Sequence, residues 1–256
     1  MPVGLPYKED VRLGRPPLAE VICQVRFDPI LIIPQEDPAQ FQEHIRRRFP
    51  RYEKQQLFTV PIIPFSDVQQ PPEFQLGSRS YRFENPSDGS AITLASDFVA
   101  LSTESHSVWP DFGSDLELIA RAMNSTYSPV SVVRTGLRYI NKFSPPKVGV
   151  GDLDALLDLF NTEFIAPLRA HPSPKPRVFA THLELDAGDG DTLAIRFVVN
   201  PEDQEAPVIL DLDFYREGPL SIENLVKECD GFHQDVYAAF RYVVRDDALK
   251  YFEPLR

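Results

Sequence analysis

The chain has 256 residues, 43% of them apolar and 11% aromatic, and its 26 lysines and arginines against 38 aspartates and glutamates leave a formal charge of −12. Such a chain can bury a core, which excludes a largely disordered protein. Apolar runs are short, as at Ile30 to Ile33 between Pro29 and Pro34, and exclude a membrane-spanning helix, which needs about 20 such residues.

Residues 1–12 carry Lys8, Glu9, Asp10 and Arg12 where a signal peptide has an apolar segment, and Cys23 and Cys229 are too few for a disulfide scaffold. Both features predict a reduced, cytoplasmic protein. Along the chain, 25 prolines enforce short elements. Leu18–Phe27 alternates as a half-buried strand, and Phe41, Ile45 and Phe49 recur at helical spacing between Pro38 and Pro50. Four strands are predicted next, at 57–65, 74–83, 91–94 and 98–103. A helix with the stripe Leu116, Ile119, Ala120 and Met123 follows, capped by Asp111 or Ser114.

The period returns to two over 130–143, with Val133, Leu137, Tyr139 and Phe143 on one face and Arg134, Arg138 and Lys142 on the other. Asp152 caps a helix running to about Leu168. Strands at 178–186, 192–199 and 208–215 are joined by turns rich in Gly and Asp, and a last helix fills 220–244 with a bend expected at Gly231. The order strand, helix, meander, helix therefore occurs twice, over 1–128 and 129–256, which predicts an α+β fold with an internal duplication. Antiparallel sheets with helices on one face, as in TATA-binding-protein-like or helix-grip architectures, are the analogy for such a unit.

Several segments resemble, in combination, a sporadically distributed prokaryotic family of about this length that lacks an assigned biochemical activity. They are Pro17-Leu18-Ala19-Glu20-Val21 with Arg26-Phe27, Trp109 with Phe112, Arg134-Thr135-Gly136-Leu137-Arg138-Tyr139-Ile140-Asn141, Asp211-Leu212-Asp213, and a terminal helix with His233 and Phe240. The resemblance implies a cytoplasmic protein of a mobile or defence locus and supplies no catalytic residues.

The charge is uneven, because residues 182–217 hold ten acids and two bases, Arg196 and Arg216. A tight meander sets His182 opposite Arg196 and Arg196 opposite Asp211, with Glu184 and Asp213 beside them. That group is a candidate site for a cationic partner or a metal, or else a solvated ladder stapled by Arg196. Arg134, Arg138 and Lys142, with Arg26 near them through the repeat, can hold a phosphate or carboxylate, or form internal salt bridges. A third reading docks the basic strand of one half on the acidic strands of the other.

The cluster His44, Arg46, Arg47, Arg48, Arg51 and Lys54 is dense enough to suggest nucleic acid, but a chain at −12 repels a polyanion. Asp186–Asp191 reads as a hairpin turn, since a calcium loop needs a later bidentate Glu. Gly149-Val150-Gly151 lacks the third glycine and the parallel context of a dinucleotide site. No P-loop, zinc-protease helix, CxxC pair or nucleophile elbow occurs. His106, His171 and His233 read as surface or core-edge residues.

The sequence therefore favours a non-enzymatic interaction or regulatory protein that binds a protein partner. It expects no cofactor, direct contact with nucleic acid or membrane association. The alternative is a protein for an anionic small ligand or nucleotide, enzymatic or not, using the arginine-lined sheet face. A metal-dependent hydrolase built on His182, Glu184, Asp211 and Asp213 is a third.

Overall fold

The structure is a computed structural model that describes residues 5, 9, 11–59, 75–104, 108–129, 131–170 and 176–255. Residues 60–65 of the second predicted strand, His106 and His171 lie outside them. Strands β1 (Leu18–Phe27), β2 (Arg51–Thr59), β3 (Gln75–Glu84), β4 (Ala91–Leu94), β5 (Phe98–Thr103), β6 (Val132–Phe143), β7 (Phe179–Gly188), β8 (Asp191–Val199) and β9 (Val208–Leu220) form one sheet in the order β2-β3-β4-β5-β1-β6-β9-β8-β7. Every pairing in it is antiparallel. The fold is α+β, with helices α1 (Ala39–Ile45), α2 (Trp109–Thr126), α3 (Pro145–Val148), α4 (Leu153–Leu157), α5 (Thr162–Arg169) and α6 (Leu225–Val243).

One sheet crosses both halves of the sequence because β1 pairs with β6 at its centre. Register then carries a single apolar row through all the strands: Tyr52, Phe83, Ile92, Leu101, Cys23, Leu137, Phe214, Leu193 and Leu185. Strand residues alternate between faces, so each strand's own alternation places it on that row. Rings from the helices and turns meet this face. Phe41 of α1 lies 5.6 Å from Phe83, Phe232 of α6 4.9 Å from Phe214, and Phe160 5.0 Å from Phe143 and 4.9 Å from Phe197. Burying each such ring contributes about 1.5–3 kcal/mol. No described helix is long and apolar enough to cross a membrane.

Some elements depart from the sequence reading. Helix α2 begins at Trp109, not at a capping Asp111 or Ser114, because Pro110 is tolerated in a first turn, where its missing N–H costs nothing. Ser114 instead bonds back to the Pro110 carbonyl at 2.9 Å from inside the helix. The helix expected over 152–168 is two, α4 and α5. Asp152 caps the first through the Ala155 amide, but Phe160 bridges to Val244, and Asn161 bonds to the carbonyls of Val243 and Tyr242, pulling the chain out of helix between them. Helix α6 runs unbroken through Gly231. Asp186–Asp191 is a hairpin turn in which Gly188, Asp189 and Gly190 take φ of 81°, 53° and 83°, a left-handed run that explains the two glycines. Gly149, at φ 83°, closes α3 and belongs to no nucleotide loop.

Candidate functional site

The charged residues singled out from the sequence occupy the sheet face opposite the apolar row. His182 stands opposite Arg196, and Arg196 opposite Asp211, as the meander register predicts. Arg138 stands opposite Asp213 but leans to Asp211 and donates two bonds of 2.7 Å to its carboxylate. Arg196 adds a contact of 3.3 Å to the same group. Those bonds raise the Arg138 guanidinium above its ordinary value, against the cost of burial.

Arg134 lies over Gly136, where an added Cβ would come 3.0 Å from its Nη1. The bare Gly136 leaves room for the guanidinium, which reaches Asp213 at 3.0 Å and rests 4.2 Å from the centre of the Tyr215 ring. Burial pushes the Asp213 carboxyl up, against the pull of Arg134, Arg138 and Arg196. Arg26 faces Arg134 across β1 and β6 and pairs with Asp97 at 3.6 Å.

The basic and acidic strands are thus one neutralised ladder. The docking lies within the second half, β6 beside β9, not between the halves. Of the carboxylates offered to a metal, Asp211 and Asp213 are committed to guanidinium groups, and Glu184 contacts only His182 of the four-residue group, at 3.4 Å. Among the described residues no three His, Cys, Asp or Glu side chains gather as a metal cage. The basic cluster around α1 is similarly spent: Arg46 pairs with Glu43, Arg48 with Asp88 and Asp115, Arg51 with Glu84, and Lys54 with Asp37.

A different place in the fold has the character of a binding site. A cavity of about 280 Å³ opens between β6, the start of α2, α6 and the arm formed by residues 11–17. The arm is held by backbone bonds from Gly14 to Glu253 and from Arg15 to Phe252, and by a bridge between Leu13 and Pro254. Trp109 stacks on His233 with ring centres 4.4 Å apart and planes 3° from parallel, and its indole N–H donates to Asp230 at 2.7 Å.

Tyr139 Oη lies 2.7 Å from His233 Nδ1. Tyr237 Oη accepts from the Val11 amide at 3.0 Å and from Arg241 at 3.1 Å, so its own O–H is the one part of the phenol not spent in those contacts. Pro16, Pro17, Leu18 and Phe240 supply apolar wall. Among the described residues lining it there is no serine, threonine, cysteine, lysine or carboxylate. Apolar walls with a few convergent polar groups are the usual make-up of a small-molecule pocket, and this arrangement suits a flat ring against Trp109 and His233 with hydrogen bonding at its edge.

No protein-family model matches the chain, and no curated protein matches it in sequence. The case for the cavity therefore rests on geometry. Pro17, Leu18, Trp109, Tyr139, Asn141, His233 and Phe240, drawn from segments far apart in the sequence, all line it. His233 is half-buried at the edge of the core, as its sequence context suggests, and its ring partners Trp109 and Tyr139 come from distant elements.

Proposed function

We propose that this chain is a non-catalytic binding protein of duplicated α+β plan, whose ligand is a small molecule with a flat ring held in the cavity between α2, α6, β6 and the arm. The observation that carries the reading is the parallel stack of Trp109 on His233 beside the Tyr139 hydroxyl. Strand order supports the duplication, since β1 and β6 pair at the centre and each is flanked by the last strand of its own meander, β5 and β9. That plan accords with the TATA-binding-protein-like analogy.

Trp109 is the only tryptophan, so the chain's intrinsic fluorescence reports on the cavity. Titration with flat heteroaromatic compounds is expected to shift its emission and raise Tm. His233→Ala, which keeps the reporter, is expected to weaken binding about tenfold, the scale of a lost aromatic pair. A broad set of such compounds that moves neither emission nor Tm rules the reading out.

A second reading, a regulator that binds a basic protein partner in a mobile or defence system, draws on the acids the ladder does not use. Glu184, Asp186 and Asp189 are exposed on the edge strand β7 and its turn. Asp211 and Asp213 are poor probes of it because they hold the sheet together. Reversal of Glu184 and Asp186 to Lys is expected to weaken salt-sensitive capture of such a partner from its own cells and leave folding stability within about 1 kcal/mol of wild type. Capture unchanged in strength and salt dependence removes this reading.

A further inference from the structure

Directly behind the wall formed by Pro16, Pro17 and Leu18 lies a second cleft, of about 260 Å³, lined by those same residues and by Arg15, Lys142 and Lys147. The wall is rigid. Two prolines fix its backbone, and the Pro17 carbonyl is tied to the Lys142 amide at 2.9 Å. Pro16, Pro17 and Leu18 line both cavities, so the two adjoin across a single stretch of chain.

The cations of this cleft differ from most on the chain. The arginines of the sheet face and the basic residues around α1 are largely spent on carboxylates. Lys142 and Lys147 are exposed and make no ion pair with a carboxylate among the described residues, Asp203 feeling the charge of Lys142 from beyond ion-pair distance. Arg15 is fixed in place by Glu253 at 3.1 Å and by the Lys147 carbonyl at 2.6 Å. Arg12, which lines the aromatic cavity, likewise has no carboxylate partner among the described residues. On a protein of charge −12, uncompensated cations gathered at one cleft make a local anion site against the overall field.

We propose that Lys142 and Lys147, with Arg15 beside them, form an anion subsite of the ligand site, so that the molecule bound is a flat ring carrying a phosphate or a carboxylate. This rests on the assignment of the ring to the cavity at Trp109. The ring supplies stacking and burial, and the lysines supply charge-assisted hydrogen bonds. Lys142, placed by the sequence on an arginine-lined sheet face, acts here from the end of β6, apart from the ladder of Arg134 and Arg138.

The test compares matched probes on the full chain: adenosine against adenosine 5′-monophosphate by Trp109 fluorescence and calorimetry, and indole against indole-3-acetate, which emit where tryptophan does, by calorimetry. The charged member of at least one pair is expected to bind about tenfold more tightly than its neutral counterpart, by an amount that falls with salt. The pair that shows the difference decides between phosphate and carboxylate. In Lys142→Met/Lys147→Met, whose side chains are exposed so that folding is spared, the difference is expected to vanish while affinity for the neutral ring stays.

Equal affinity for charged and neutral members in the unmutated chain overturns the subsite and leaves the cavity standing. A charge preference lost in Arg12→Met but kept in the double lysine variant overturns it as well, since the anion then sits at the cavity mouth. Absence of any emission change or binding heat with all four probes removes the ring-binding assignment, and the subsite with it.

Discussion

Asp211→Asn is expected to destabilise the chain by about 3 kcal/mol, read as a fall in Tm of roughly 6–12 °C with little change in secondary structure. The Asp211 side chain is 9% exposed and receives Arg138 in bidentate fashion and Arg196 from the other side. An amide of the same shape keeps the packing but leaves two guanidinium groups of a half-buried sheet face without their shared anion, and that desolvated charge is the source of the penalty. Part of Arg138 reaches water, which keeps the figure below that of a fully buried pair. Combining Asp211→Asn with Arg138→Met and Arg196→Met is expected to recover most of the loss, since replacing an ion group by apolar side chains is often neutral. If the single variant melts with the wild type, the ladder is surface decoration, and the aspartates return as candidates for a partner or a metal.

Much of this ladder was legible before the fold was known, and the reason is local. Alternation in β1 and β5 runs to the strand ends, and flanking small and polar residues bound β4, so their spans matched residue for residue, while the hairpin turn and the meander order place His182, Arg196 and Asp211 in one row. Alternation says nothing about which strand lies alongside. The basic face of β6 and the acidic face of β9 looked like two surfaces awaiting ligands until their pairing made each the other's counter-ion. The split between α4 and α5 was hidden for a similar reason, since Phe160 leaves the helix to meet Val244 far along the chain. The cavity was the least legible part. Trp109, Tyr139 and His233 come from a helix start, a central strand and a terminal helix, and only tertiary packing brings their rings together.

Arg48 carries the second large expectation. It stands just after α1 and donates two bonds of 2.8 Å to Asp115 of α2, while its remaining nitrogen meets Asp88 of the turn between β3 and β4 at 2.7 Å. One guanidinium thus pins a helix end, a second helix and a hairpin, and the Asp115 bonds hold it protonated against the cost of burial. Arg48→Met is expected to cost about 2 kcal/mol, with Asp115, 12% exposed, left as an unpaired carboxylate.

Arg48→Lys is expected to recover less than half, because an ammonium cannot span both oxygens of Asp115 and still reach Asp88. Acid separates the two partners. Burial works to raise the Asp88 carboxyl, but hydrogen bonds from the Ser90 hydroxyl and amide, with Arg48, hold it below the ordinary carboxylate range. A carboxyl depressed in the folded state contributes stability above its unfolded pKa and loses it as pH falls through the folded one. The gap between wild type and Arg48→Met is therefore expected to narrow in denaturant melts below about pH 4. A gap constant down to the lowest accessible pH assigns the stabilisation to packing of the arginine stem, not to its charge.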